Sequence, residues 1–220
     1  GILNSGSDLL ITFNEDIQSS AMSNLTNFDV VGELNEREVA HDVALSLTGM
    51  NAAKTEATIN LSGNSFSASM WVNYQTDGTL LMHGTKDNNF TVAIENSKLA
   101  VSVAGQKAVS TATLPKDKWL YLNVSYEADD TTPIVNAAYA EGANTVTLLN
   151  GAQTKAYEGN GAVSLGGNNL TAKVQELSIW NSGRSIDEAT ADMYTTKSQY
   201  TNGLLGYWQF DEGHGSMAPD

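Results

Sequence analysis

The feature that most constrains this chain is a two-residue alternation of apolar and polar side chains. It occurs in runs of about four to eight residues, separated by Gly, Asn, Asp and Ser and recurring roughly every ten positions. In the run 66–72, Phe66, Ala68, Met70 and Val72 fall on one face of an extended strand, and the serines and Trp71 fall on the other. Runs 90–94 and 99–103 repeat the pattern on either side of Glu95-Asn96-Ser97-Lys98, which predicts a hairpin. In 119–126, Leu120, Leu122, Val124 and Tyr126 alternate with Tyr121, Asn123 and Ser125, as expected of a central strand. Further strands are expected at 134–139, 145–149, 162–165 and 173–180, with Asn150-Gly151 and Gly166-Gly167-Asn168 supplying turns. The chain therefore reads as an all-β antiparallel sandwich.

One segment breaks the strand rhythm. Ser185-Ile186-Asp187-Glu188 fits a capping box, with Ser185 as N-cap and Glu188 reaching back, and predicts a short helix running on through 189–194. At 220 residues the chain is compatible with one main β-sandwich domain. We expect a small β segment over 1–40, with strands at 9–17 and 28–32, that either packs on the sandwich or ends an Ig-like module. The sandwich itself spans 41–200. Residues 201–220, with a strand at 206–210, either close it or begin a following repeat.

Charge and composition exclude several functions. The 25 acidic and 11 basic residues leave a net charge of −14 with no basic cluster, which disfavours nucleic acid and anionic membrane surfaces. Cysteine is absent, so thiolate metal sites and disulfides are ruled out. No run is long and apolar enough to insert in a membrane. Asn-x-Ser/Thr sequons at Asn60, Asn89 and Asn123 fall in or beside expected core strands, which points to a source without N-glycosylation, hence bacterial. The acidity fits the solubility of an extracellular or cell-surface protein.

The order of these pieces resembles the laminin-G-like jelly roll of the concanavalin-A-like lectin and glucanase superfamily, as found in bacterial multidomain surface proteins. The resemblance rests on 44–49, 65–72, 118–126 and 174–181 followed by Arg184-Ser185, and covers about residues 42–195. It implies a two-sheet antiparallel jelly roll with one short helix near its C-terminus. Where relatives often carry an acid before the glycine of the opening strand this chain has Thr48, so the metal question stays open, with calcium the one cofactor to consider.

No catalytic constellation emerges. Side-by-side acids at Glu15-Asp16, Asp129-Asp130, Asp187-Glu188 and Asp211-Glu212 point to opposite faces of a strand or belong to caps and loops, and the Glu-x-Asp-x-x-Glu pattern of the superfamily's glucanases is missing. His41, His83 and His214 are widely spaced and read as surface or loop residues. The ligand-binding candidates are Trp71, Trp119 and Tyr121, which lie opposite the expected core face and could stack on sugar rings unless a neighbouring segment covers them. The expected function is a non-catalytic adhesion or carbohydrate-contact module within a longer chain, its partners a glycan, a surface protein or neighbouring domains. A ligand-free structural spacer is the alternative, and a divergent glycoside hydrolase centred on Glu176 the less favoured one.

Overall fold

The computed structural model describes residues 43–50, 52–85, 88–198 and 200–211. The strands expected at 9–17 and 28–32 lie outside the described residues, as do His41 and His214. The described elements run β1 (Leu45–Gly49), β2 (Ala53–Lys54), β3 (Ile59–Asn60), β4 (Phe66–Thr76), β5 (Gly78–Gly84), β6 (Asn89–Glu95), β7 (Lys98–Val103) and β8 (Gln106–Thr113). They continue with β9 (Leu120–Glu127), β10 (Ile134–Glu141), β11 (Asn144–Gln153), β12 (Asn160–Gly161), β13 (Val163–Leu165), β14 (Leu170–Trp180), α1 (Ile186–Thr190) and β15 (Leu204–Trp208).

Two large antiparallel sheets form the sandwich. The first has the order β1-β14-β4-β9-β10-β11, with β15 also paired to β14, and the second has the order β2-β13-β5-β6-β7-β8; β3 and β12 make a small two-stranded sheet. The core lies between the two large sheets, and the alternation decides which residues enter it. Phe66, Ala68, Met70 and Val72 of β4 meet Leu120, Leu122, Val124 and Tyr126 of β9 from one side, and Phe90, Val92 and Ile94 of β6 come from the other. The hairpin between β6 and β7 turns where expected: Asn96 and Ser97 take φ of 51° and 60°, the left-handed pair that matches strand twist in a two-residue turn.

Several elements differ from the sequence reading. The two-residue strands β2, β3 and β12 were not expected, and Asn150-Gly151, expected as a turn, lies inside β11 as a bulge between the Leu149 and Ala152 pairings, with Gly151 at φ 60°. β5 was not expected, because a register shift between Thr79 and Leu81 buries Leu80 and Leu81 consecutively and erases the alternation. β8 was not expected either, since its small polar residues carry little β signal and it lies at an edge. The helix keeps its capping box but stops at Thr190 rather than continuing to Tyr194, and turns follow in which Asp192 reaches Arg184 and the Met193 carbonyl reaches Trp71.

Candidate functional site

Alternation correctly puts Trp71 and Tyr121 on the outer face of the first sheet, where they are cross-strand neighbours with ring centres 5.2 Å apart. That face is not open. Ala189 and Met193 close over both rings, Tyr194 lies 5.6 Å from Trp71, and the Trp71 indole Nε1 donates to the Met193 carbonyl at 3.1 Å. Trp71 and Tyr121 are buried, and Trp119 is half-buried at the edge of the cluster. Below this cover the face is polar: Ser69 Oγ donates to Asn123 Oδ1 at 2.8 Å, and Asn123 Nδ2 donates to the Arg184 carbonyl at 2.8 Å. Burial in this layer pushes the Tyr121 phenol well above its usual range.

A cleft of about 380 Å³ opens elsewhere, lined by Asp77, Gly78, Thr79, Ala93, Ile94, Glu95, Asn96 and Asn168. Three turns converge on it: the β4–β5 connection brings Asp77, the β6–β7 turn brings Asn96, and the turn before β14 brings Asn168, again with a left-handed φ of 50°. Thr79 and Asn168 are held together, since Asn168 Nδ2 donates to Thr79 Oγ1 at 2.7 Å. The Asp77 carboxylate accepts from the Ser97 backbone N–H at 3.2 Å and lies 3.8 Å from Lys116 Nζ. Glu95 pairs with Lys107 at 2.8 Å. Glu95, Asn96 and Asn168 are exposed, so the cleft presents carboxylate oxygens and carboxamides to solvent. Paired acceptors and amide donors of this kind are what vicinal hydroxyl groups bind. A side chain at Gly78 would drive its Cβ to 2.4 Å from the Leu170 backbone nitrogen, so glycine keeps the two turns in contact.

Sequence reasoning missed this site. Its polar groups come from positions 77–79, 95–96 and 168, and only the turn chemistry of two of those segments hinted at them. Among the described residues no group of three or more His, Asp or Glu side chains is placed to hold a metal ion.

The remaining candidates have structural partners. His83 is not on the surface: it is 1% exposed, because β5 points it into one end of the sandwich. Asp129 caps its own loop, accepting from the Thr131 and Thr132 backbone N–H groups and from the Thr131 hydroxyl, and these bonds hold its carboxyl down at about 2. Asp187 and Glu188 occupy the first turn of α1, and Glu188 is held low by the Ser185 N–H and hydroxyl. Glu176 lies in an irregular stretch of β14 at φ 54° and accepts from the Tyr207 hydroxyl.

Residues 47–190 match a laminin-G family model described as the concanavalin A-like lectin/glucanases superfamily. Among curated proteins no sequence matches this chain. Similar solved structures include a proposed carbohydrate binding protein from Bacteroides ovatus, at 15% identity and a TM-score of 0.51 over 77% of this chain and 52% of that one. A heptameric SAP-like pentraxin from Limulus polyphemus aligns at 12% identity and a TM-score of 0.49 over 80% of this chain and 90% of its own. The CBM40 domain of the Ruminococcus gnavus IT-sialidase, bound to alpha2,3 sialyllactose, aligns at 11% identity and a TM-score of 0.43 over 68% and 97%. Identities this low speak to the fold alone.

Proposed function

Because the chain belongs to the concanavalin A-like lectin/glucanases superfamily, we propose that it is a non-catalytic carbohydrate-contacting module of a larger bacterial surface protein, and that the cleft at Asp77, Thr79, Glu95, Asn96 and Asn168 makes the contact. The observation that carries this reading is the convergence of two carboxylates and two carboxamides on one open cleft, on a scaffold of β-strands and tight turns. Binding rather than hydrolysis is supported by the state of the two acids. Half-buried Asp77 lies 3.8 Å from Lys116 Nζ and accepts from the Ser97 backbone N–H, and exposed Glu95 pairs with Lys107, so each carboxylate already has a fixed partner on its own side of the cleft.

The test is a glycan array probed with the purified chain, with calcium and with chelator, followed by the Asn168→Ala variant. Hits that disappear in Asn168→Ala support the cleft, and chelator sensitivity would add a calcium requirement. Hits retained in that variant move the contact elsewhere, and release of free sugar from any hit overturns the non-catalytic assignment.

A second reading, a structural spacer without a ligand, is favoured by one observation. The outer aromatic pair Trp71 and Tyr121 is packed beneath α1 and Met193 instead of standing open as a stacking surface. An array blank in both conditions selects this reading.

A further inference from the structure

His83 ties three separate segments together at one end of the sandwich. Its Nε2 donates to the Ile59 carbonyl of β3 at 2.9 Å, and its Nδ1 faces the Tyr157 hydroxyl at 2.7 Å. The same hydroxyl donates to the His83 carbonyl at 2.9 Å, and the Tyr157 backbone N–H donates to the Tyr126 hydroxyl at 3.0 Å. Tyr157 is wholly buried and surrounded by rings, with centres 5.6 Å from Phe66 and 6.3 Å from Phe90 and Tyr126. The backbone leaves these groups little room. A Cβ at Gly159 would fall 2.1 Å from the Tyr157 ring, and one at Gly84 would fall 2.6 Å from its hydroxyl.

Counting hydrogens defines the state of the pair. Three close polar contacts need three hydrogens, but a neutral imidazole and a phenol together carry two. The hydroxyl is therefore shared between Nδ1 and the His83 carbonyl. A proton added to the ring would fill the third contact, but it would leave a positive charge cut off from water, since His83 is 1% exposed. On the segments packed around the ring, the titratable groups among the described residues are Tyr126 of β9, Tyr157 and Glu158. Phe66 of β4, Phe90 of β6, Ile59 of β3, Asn160–Gly161 of β12 and Val163–Leu165 of β13, which pairs with β5 at the ring, offer none. The Glu158 carboxylate accepts from the Ser62 hydroxyl, and among the described residues no carboxylate is ion-paired with the ring.

We propose that His83 and Tyr157 form an acid-sensitive latch, in which proton uptake by His83 loosens the junction of β3, β5 and the 157–161 segment. The electrostatics agree in direction. Burial, the largest effect, lowers the His83 pKa below its usual value, and it outweighs the Ile59 and Gly161 carbonyls that favour the charged ring. A lowered folded pKa means that the stabilisation is full above the unfolded value near 6.5 and is lost as pH falls through the folded pKa. The latch lies at the far end of β5 from the Gly78–Thr79 cleft and does not depend on the carbohydrate reading.

The experiment uses a His41→Gln, His214→Gln protein, in which His83 is the only imidazole. NMR titration of the ring is expected to show the Nε2–H tautomer above pH 6.5 and a midpoint clearly below it. Urea unfolding at pH 8 and pH 5 is expected to show an unfolding constant that rises by up to about 30-fold, the limit set by an unfolded pKa near 6.5. Adding His83→Gln should remove that part of the pH dependence. A ring midpoint at or above 6.5, or an identical pH dependence with and without His83, overturns the latch. Should His83→Gln fail to fold, the NMR midpoint of the single-histidine protein decides by itself.

Discussion

Arg184 lies with its guanidinium carbon 4.1 Å from the centre of the Trp180 ring while its Nη2 reaches Asp192 Oδ2 at 3.0 Å, so one side chain joins the end of β14 to the turn that follows α1. The Arg184 side chain is only 13% exposed. Removing one partner from a stack and an ion pair with this little water should cost more than breaking a surface pair does. Arg184→Ala is expected to cost about 2 kcal/mol in urea unfolding, because it leaves Asp192 with the more distant Lys197, at 3.9 Å. Arg184→Lys should recover only part of that loss, since an ammonium does not reproduce the planar stack. Lys107→Ala, which breaks the exposed pair with Glu95, should change stability by about 0.5 kcal/mol or less.

The cover over Trp71 and Tyr121 depends on the capping box of a five-residue helix. Ser185→Ala is expected to cost about 1 kcal/mol and to speed amide hydrogen exchange selectively at 188–193. The same cover should respond to acid. The folded pKa of Glu188 is depressed by its bonds to Ser185, so its contribution is present above the unfolded carboxylate value near 4.3 and is lost as pH falls through the lower folded value. A Trp71 environment that stays unchanged down to pH 3, followed by the fluorescence of a protein with its other tryptophans replaced by Phe, would contradict this.

Glycine positions should separate into two cost classes. A Cβ at Gly159 collides with the buried Tyr157 ring at 2.1 Å, so Gly159→Ala is expected to lose about 3 kcal/mol or fail to fold. Gly105 has φ +81° and nothing near its missing Cβ, so Gly105→Ala should cost only its backbone strain, about 1 kcal/mol. Thermal melts of the two variants measure the difference.

Alkaline titration should reveal the buried phenols. Burial raises the pKa of Tyr74, Tyr121, Tyr126, Tyr157 and Tyr207, and in Tyr207 the Glu176 carboxylate adds to it. The folded chain therefore holds protons that the unfolded chain releases near pH 10, and stability falls as pH rises past that point. Phenolate absorbance at pH 11 is expected to report a minority of the eight tyrosines, with the rest appearing together as the protein unfolds.

The fold was largely legible because the alternation in β4, β6, β7 and β9 is undisturbed, and because Ser185 and Glu188 carry their cap locally. What escaped was non-local. Period two assigns Trp71 and Tyr121 to a face, but the residues that cover that face, Ala189 and Met193, arrive some way along the chain. His83 resembles a loop histidine until Ile59 and Tyr157 are brought to it by topology. The cleft is likewise made by turns that no pattern within one segment could bring together.

β14 pairs with β4 along one edge, while its other edge is divided between β1, facing Leu170–Val174, and β15, facing Leu177–Trp180. In a chain made from its N-terminus, β1 and β4 are complete long before the strand that must lie between them. Among the described strands of the first sheet, the edges of β1 and β4 that face β14 have no partner until 170–180 has emerged, and β15 alone is made later. The first sheet thus cannot be completed before a late strand pairs with two early ones, and the loop-closure entropy of those pairings follows from strand order rather than from any single residue.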